Sequence, residues 1–252
     1  MIAQAILDGC AAMGVSLPPG APERFARFDS MLRLENAKQN LTRDIDAPDA
    51  VARLYLDSLA PLSFPDLIPQ CARVVDIGSG AGFPGIPIAI ARGDAHVALV
   101  DALGKRVAFL AAAVAELYLN AQAIHSRAEA FANERRGQFD VALIRAVAPL
   151  NVLLEYASPL LKPGGMLIAY KGPGVAEELD AAARAAEILK AEWLPIRPVE
   201  IPGTNWGHVL ACAIQKHPCP SQYPRRDGVP ERKPLGYGGA HTINHRAGNY
   251  II

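Results

Sequence analysis

The stretch Val74-Val75-Asp76-Ile77-Gly78-Ser79-Gly80-Ala81-Gly82-Phe83-Pro84-Gly85-Ile86-Pro87 decides the fold of this chain. It starts as a β-branched run typical of a buried strand, has a glycine at every second position, and resumes as an apolar helical pattern through Ile90. Glycines in such a turn permit positive φ and close approach of a ligand to the main chain, while the helix start offers unpaired N–H groups. The pattern therefore predicts a strand, a tight turn and a helix around a nucleotide-like ligand.

Two common phosphate-binding patterns do not match this turn. The dinucleotide pattern G-x-G-x-x-G would need its third glycine at Phe83, and no Gly-Lys-Ser/Thr closes a P-loop. Asp76 would oppose a bound phosphate, whereas it suits a cationic ligand. S-adenosylmethionine carries an ammonium and a sulfonium and no phosphate. The order D-x-G-x-G-x-G after a first strand accordingly resembles motif I of the Rossmann-like methyltransferases.

Acidic residues follow the next two predicted strands. His96–Val100 reads as the second strand and ends in Asp101, where a carboxylate can accept both hydroxyls of a ribose. Ala121–His125 reads as the third strand, and Ala128 and Glu129 follow it at the carboxyl edge of the predicted sheet. In methyltransferases of this architecture the latter position commonly touches the adenine. These residues extend the predicted cofactor site beyond the glycine turn.

Arg145 follows the predicted fourth strand, Phe139–Ile144, where methyltransferases usually show their substrate type. The Asn/Asp/Ser-Pro-Pro-aromatic pattern of exocyclic-amine enzymes and the cysteine of cytosine-C5 enzymes are both absent from this position. An arginine cannot act as a base at neutral pH, but its fork of donors can hold a carboxylate, a phosphate or a guanine edge. The alternative interpretation of Arg145 is a salt bridge at the sheet edge.

The order of predicted elements indicates the fold class. Strands and helices alternate from residue 71, and two late strands near Leu194–Ile201 and His208–Ile214 complete a sheet. We predict an α/β, Rossmann-like class I S-adenosylmethionine-dependent methyltransferase with a seven-stranded, mostly parallel mixed sheet and helices on both faces. Residues 1–70 should form an N-terminal helical extension, residues 71–215 the cofactor-binding domain, and residues 216–252 a basic, flexible tail.

Composition limits the class of protein. The chain has 252 residues, 51% of them hydrophobic, and a formal net charge of zero, so it can bury a large core and is not coated in basic charge. Residues 216–252 are the basic part, with six Lys/Arg against two Asp/Glu. The four cysteines show no metal-ligand spacing, and no apolar run has transmembrane length. We expect a reduced, cytoplasmic protein without a bound metal.

A longer set of motifs resembles one family. The set comprises Asn40-Leu41-Thr42, Leu56-Asp57-Ser58, the glycine-proline stretch 76–87, Asp101–Arg106 with Phe109-Leu110, Arg127-Ala128-Glu129, Arg145-Ala146, Lys171-Gly172 and the basic ending 223–235. Together they are similar to the RsmG (GidB) family of bacterial 16S ribosomal RNA methyltransferases over roughly residues 20–215. Two positions depart from the family pattern, because Leu54 stands where a histidine is usual and Glu35 where a tryptophan is common.

The resemblance implies transfer of a methyl group from S-adenosyl-L-methionine to N7 of guanine 527 in the 530 loop of 16S rRNA. Guanine N7 has a lone pair and no proton, so no general base is expected, and Arg145 would act by positioning. The expected cofactor-binding residues are Asp76, Gly78, Gly80, Gly82, Phe83, Asp101, Ala128, Glu129 and Arg145. The expected RNA-binding residues, acting mainly through phosphates, are Lys105, Arg106, Lys171, Arg225, Arg226, Arg232 and Lys233.

Other functions remain open on sequence grounds. The chain could methylate a different RNA or a small molecule, or it could be a non-catalytic module that binds the cofactor or the ribosome. A dinucleotide oxidoreductase is a more distant alternative. The expected partner is 16S rRNA or the small ribosomal subunit, with no membrane and no DNA, and the expected state is a monomer.

Overall fold

A computed structural model of the chain describes residues 2–145 and 148–237. The strands in this part of the chain are β1 Arg73–Ile77, β2 His96–Asp101, β3 Ala121–His125, β4 Phe139–Ile144, β5 Leu161–Lys171, β6 Ala191–Trp193, β7 Arg197–Pro198 and β8 Val209–Gln215. The α-helices are α1 Ile2–Ala12, α2 Ala21–Gln39, α3 Asp57–Leu59, α4 Gly85–Ala91, α5 Gly104–Glu116, α6 Ala128–Glu134, α7 Leu150–Ala157, α8 Leu179–Leu189 and α9 Val229–Arg232. A π-helical turn, Val51–Leu56, leads directly into α3.

The strands form one mixed sheet in the order β3-β2-β1-β4-β5-β8-β6, and β7 also pairs with β8. Neighbours from β3 to β5 are parallel, and the pairs made by β8 are antiparallel. The chain moves outward from β1 to β3 and then returns to place β4 on the other side of β1. The carboxyl ends of β1 and β4 therefore meet at a topological switch point, where open α/β sheets bind their ligands.

Both faces of the sheet are covered, as the near-continuous apolar strands require. Alternate residues of β1 point to opposite sides, with Val74 in one buried cluster and Val75 in the other. The first cluster contains Phe28 of α2 together with residues of α1, α4 and α5, and the second contains Leu153 of α7 together with residues of α6 and α8. The predicted fold class is thus confirmed, and the N-terminal helices complete one of the two helical layers.

The predicted seven-stranded sheet needs one correction. In place of the expected strand near Leu194–Ile201 there are two short pieces, β6, which precedes the predicted range, and β7, which lies within it, and both pair with the same edge of β8. They share the seventh position, so the described sheet has eight strands in seven positions. Two prolines, Pro195 and Pro198, lie in the predicted strand, and proline cannot donate a ladder hydrogen bond, which accounts for its division.

Residues 216–237, the C-terminal segment, pack on the rest of the chain instead of forming the flexible tail that we predicted. Arg136 donates hydrogen bonds to the carbonyl oxygens of Cys219 and Tyr223, and Asn151 donates to that of Leu235. The segment leaves the amino edge of the sheet after β8 and runs along α6 and α7 to the carboxyl edge. Residues 238–252, the remainder of the predicted tail, lie outside the described residues. The boundaries near residues 70 and 215 stay predictions.

Within the described residues, no helix has the length and apolar character needed to cross a bilayer.

Candidate active site

The glycine turn between β1 and α4 forms the centre of the candidate site. Gly78, Gly80 and Gly82 have φ values of 74°, 57° and 98°, in the left-handed region that favours glycine. The amides of Gly78 and Ser79 both donate to the carbonyl oxygen of Val100, at 2.9 and 3.0 Å, which ties the turn to the end of β2. Gly78 and Gly80 are partly exposed, whereas Gly82 is buried. The first two glycines therefore present main chain to a ligand.

Gly82 and Phe83 instead face the N-terminal helices. A Cβ at Gly82 would lie 2.7 Å from Cγ1 of Ile86 and 3.2 Å from Cζ of Phe28, so the missing side chain lets α2 approach the turn. The Phe83 ring lies 5.5 Å from that of Phe28 and 5.4 Å from that of Tyr55, centroid to centroid. Both predicted cofactor residues thus join the glycine turn to the helical layer.

Asp76 is a fully buried carboxyl group beneath the turn. Its Oδ2 accepts a hydrogen bond of 2.9 Å from the amide of Gly85, while its Oδ1 has no hydrogen-bond partner among the described residues. Burial raises the pKa of Asp76 to about 7, despite the opposing effects of the Gly85 amide and the Arg145 guanidinium. A buried oxygen without a partner is rare, and a ligand ammonium group would supply one. Asp76 therefore fits the cationic methionyl end of S-adenosylmethionine.

Asp101 lies at the end of β2, as predicted, but its carboxylate already has protein partners. Oδ2 accepts from the amide of Gly80 at 2.9 Å, and Oδ1 accepts from the amide of Leu103 at 2.8 Å. Arg106, a predicted RNA-binding residue, lies 3.4 Å from Oδ2. The Asp101 side chain is fully buried, and both of its oxygens are bonded within the protein.

Glu129 also has a protein partner that the sequence did not reveal. Its side chain is 2% exposed and accepts a hydrogen bond of 2.7 Å from the amide of Gly228, in the C-terminal segment. Arg127 lies between the carboxylates of Glu129 and Asp227, at 3.7 and 3.3 Å. Ala128 is buried beside Glu129. The adenine position predicted from the family thus lies where the C-terminal segment reaches the carboxyl edge.

Arg145 lies at the end of β4, next to the glycine turn. Its guanidinium carbon is 5.3 Å from the centre of the Phe83 ring, and its Nη1 donates 2.9 Å to the carbonyl oxygen of Arg53 and 3.2 Å to Oγ of Ser58. Nη1 also lies 3.4 Å from Oδ2 of Asp57. The predicted alternative, a salt bridge, is therefore present, but it fixes the arginine between the turn and α3. Part of the guanidinium stays accessible, since the side chain is 21% exposed.

Sequence reasoning missed His208, which completes this group. Its Nδ1 lies 2.9 Å from Oδ1 of Asp57, and its ring centroid lies 5.0 Å from that of Trp206. Tyr170, at the end of β5, donates 2.8 Å to the carbonyl oxygen of Ser58. Asp57 and Ser58 belong to the quoted family motifs, but no pattern in the sequence links them to a residue about 150 positions later.

The predicted RNA-binding residues divide into paired and exposed groups. Lys171 is 2.6 Å from Glu178, and Arg225 is 2.5 Å from the fully buried Glu155, so both partly buried cations already have a carboxylate partner. Lys105, Arg226, Arg232 and Lys233 are exposed at the surface.

The two departures from the family pattern have local partners. Leu54 is 2% exposed and belongs to the apolar core, and Glu35 forms an ion pair of 3.0 Å with Lys38.

The sequence is similar to one family of known proteins over most of its length. A family model described as rRNA small subunit methyltransferase G matches residues 22–202. The chain is 42% identical to a ribosomal RNA small subunit methyltransferase G of Desulforamulus reducens over 84% of this chain and 89% of the relative. It is 41% identical to the protein of that name from Carboxydothermus hydrogenoformans, over 89% and 96% of the two chains.

Solved structures with similar folds are more distant in sequence. A fibrillarin of Aeropyrum pernix with natively bound S-adenosyl-L-methionine gives a TM-score of 0.50 at 14% identity, over 65% of this chain and 75% of the other. A SAM-dependent methyltransferase of Aquifex aeolicus gives a TM-score of 0.50 at 17% identity, over 74% and 98% of the two chains. At such identities the likeness concerns the fold alone.

Proposed function

Because the chain belongs to the rRNA small subunit methyltransferase G family, we propose that it transfers a methyl group from S-adenosyl-L-methionine to N7 of guanine 527 in the 530 loop of 16S rRNA. The observation that carries the proposal is the placement of Asp76 and Arg145 near the carboxyl ends of the adjacent strands β1 and β4, with Arg145 over the Phe83 ring. The first suits the cationic end of the methyl donor, and the second suits O6 of a guanine, which leaves the lone pair of N7 free to attack.

S-adenosylmethionine, when bound, supplies an electrophilic methyl group on a sulfonium. Asp76 would hold its ammonium, Gly78 and Gly80 would lie against it, and Asp101 and Glu129 would lie on the side of the ribose and adenine. Arg145 is fixed by the Arg53 carbonyl and Ser58, so it can hold the guanine without a large loss of its own freedom.

No proton has to leave guanine N7 before it attacks. Asp76 accepts a hydrogen bond from the Gly85 amide beneath the turn, a position that suits binding rather than proton transfer. Rate enhancement then comes from alignment and proximity, which can supply roughly 7 to 11 kcal/mol in favourable cases.

The test is methyl transfer from radiolabelled S-adenosylmethionine to small-subunit rRNA from a strain lacking this modification, mapped by cleavage at 7-methylguanine. One labelled guanine in the 530 loop is the expected result. A different labelled base would retain the methyltransferase activity and overturn the target. Cofactor binding without any incorporation would favour the non-catalytic alternative.

Arg145→Ala and Arg145→Lys are the matched variants for this test. Lysine keeps the charge but loses the planar fork, so we expect both variants to lose methylation, alanine more than lysine. If Arg145→Ala left both cofactor affinity and methylation rate unchanged, the role given to Arg145 would be wrong.

We further propose that the protein acts in the cytoplasm on small-subunit RNA, because its proposed target is ribosomal. We also propose that it acts as a monomer. Light scattering of the purified protein should give one chain mass. Parallel methylation of naked rRNA, assembly intermediates and mature small subunits would show which form is the substrate.

A further inference from the structure

A group of polar and aromatic side chains lies next to Arg145 at the carboxyl edge. It consists of Arg53 and Asp57, on the helical turn before and within α3, and Trp206 and His208, in the segment that precedes β8. Because β8 is antiparallel to β5, its beginning lies where β5 ends, at the same edge as the glycine turn. We call these four residues the α3–β8 cluster.

Asp57 connects the cluster to Arg145. Its Oδ2 lies 3.4 Å from Nη1 of Arg145, and its Oδ1 lies 2.9 Å from Nδ1 of His208. A carboxylate accepts hydrogen bonds, so the Nδ1 of His208 must be the donor. In the neutral imidazole the other ring nitrogen, Nε2, is then an acceptor, and no described residue bonds to it. The His208 side chain is 31% exposed, which leaves this acceptor accessible to a ligand.

Trp206 supplies a flat aromatic surface beside that acceptor. Its ring is tilted 41° to the His208 ring, with centroids 5.0 Å apart. The Arg53 guanidinium carbon lies 4.7 Å from the Trp206 centroid, so a flat cationic group already covers the ring. Arg53 is 44% exposed, and its ion pair is with the partly exposed Asp49, so it can swing away at little cost.

We propose that Trp206 and His208 form the subsite for the target guanine, with Asp57 as a positioning residue. This proposal rests on the proposed function. The base, taken out of the RNA stack, would lie on Trp206 and donate from N1–H or the exocyclic amine to Nε2 of His208. Its O6 would then face Arg145, and its N7, with the lone pair free, would face the methyl donor. Asp57 positions both His208 and Arg145, because one oxygen of its carboxylate contacts each of them.

Tryptophan fluorescence tests the stacking directly, because the chain has only two tryptophans. In a Trp193→Phe variant the signal comes from Trp206 alone. The probes are an RNA hairpin with the 530-loop sequence and the same hairpin with the target guanosine made abasic. We expect quenching by the first that is at least several-fold greater than by the second. Equal responses to both hairpins would overturn the stacking role.

Methylation kinetics separate this subsite from a structural role. Trp206→Ala should lower kcat/KM for the hairpin between about fivefold and a hundredfold, as expected for loss of base stacking, with the dissociation constant of S-adenosylmethionine unchanged. Trp206→Phe should retain activity within about threefold, because it keeps an aromatic face. Wild-type activity in Trp206→Ala would overturn the proposal. If the wild-type protein methylated neither the hairpin nor small-subunit rRNA in naked, partly assembled or mature form, the proposed function would be overturned instead.

Separate variants test the roles of His208 and Asp57. His208→Gln keeps an acceptor near Nε2 and should retain more activity than His208→Ala. Asp57→Asn keeps the shape of the side chain but not its charge, so we expect a lower kcat with hairpin and cofactor affinities within about threefold. An unchanged kcat would remove Asp57 from the proposal, and equal rates for the two His208 variants would remove the Nε2 contact. Unchanged melting temperatures serve as the folding control.

Discussion

Asp76 shows how burial makes the charge of a single side chain sensitive to pH. The carboxyl group is fully buried, and its pKa is raised to about 7 by that burial. The Gly85 amide and the Arg145 guanidinium favour the ionised form, whereas Asp101 opposes it. Its charge therefore changes within the pH range in which cofactor binding can be measured.

The pH dependence of cofactor affinity follows from this pKa. At pH 5.5 Asp76 is mostly neutral and at pH 7 about half ionised, while an α-amino group with a pKa near 8 stays cationic throughout. Only the ionised carboxyl attracts the ammonium, so affinity should rise about tenfold over this range. Calorimetric titration with S-adenosylmethionine measures it. Asp76→Asn should bind more weakly and without this rise; a rise of equal size in that variant would assign the titration to another group.

Gly85 is a second position in the site, and a single added carbon atom there would collide with its neighbours. An added Cβ would lie 2.6 Å from Oδ2 of Asp76 and would collide with Cδ2 of Leu99. Gly85→Ala should therefore lower the free energy of unfolding by about 1 to 3 kcal/mol, as overpacking of a core does, and weaken cofactor binding. Urea denaturation measures the first effect.

Gly93→Ala is the control, because no atom lies within 4 Å of the site of its Cβ. An equal loss of stability in both variants would refute the steric explanation for Gly85.

At the scale of elements, local patterns determined most of the sheet. The predicted bounds of β3 and β4 are those of the structure, and β2 extends the prediction by Asp101 alone. These strands are apolar runs bounded by turn residues, so short-range signals suffice to locate them. The same applies to the glycine turn, whose torsion angles only glycine adopts easily.

Elements held by distant contacts could not be predicted in this way. Gly228 bonds to Glu129, and His208 to Asp57, across 99 and 151 positions of sequence. Neither contact leaves a local periodicity, and a basic composition looks the same in a packed segment as in a free tail. The packing of residues 216–237 and the α3–β8 cluster therefore became visible only in the structure.

The C-terminal segment allows a test on two adjacent arginines. Arg225 makes hydrogen bonds to both carboxylate oxygens of Glu155, whose side chain is fully buried, whereas Arg226 is exposed. Arg225→Ala should cost about 3 kcal/mol of stability, because it leaves a buried carboxylate without its partner. Arg226→Ala should change stability by less than about 0.5 kcal/mol.

Urea midpoints of the two variants provide the comparison. Similar midpoints would show that the Glu155–Arg225 pair does not hold the segment on α7. RNA affinity measured on the same proteins should fall for Arg226→Ala, if that residue contacts phosphate as predicted.

At the scale of the whole molecule, the distribution of charged residues matters more for RNA binding than the net charge does. The net charge is zero, so attraction to RNA has to come from a local set of cations. The C-terminal segment carries Arg226, Arg232 and Lys233 past Glu129 to the carboxyl edge, and Lys105 lies at the start of α5 on the same edge. The exposed predicted RNA contacts thus lie toward the same edge of the sheet as the candidate site.

Salt dependence of binding tests this placement. Each phosphate contact contributes about 0.7 to 0.9 to the slope of log affinity against log salt concentration, so Arg226→Ala, Arg232→Ala and Lys233→Ala combined should make the slope shallower by about 2 to 3. Arg135→Ala is the control, since this exposed cation follows the end of α6 at the opposite edge and should leave the slope unchanged. Filter binding of 16S rRNA fragments at several salt concentrations gives both slopes. A slope that the triple variant leaves intact would mean that RNA approaches the carboxyl edge without touching the C-terminal segment, and Lys105 would then be the next cation to replace.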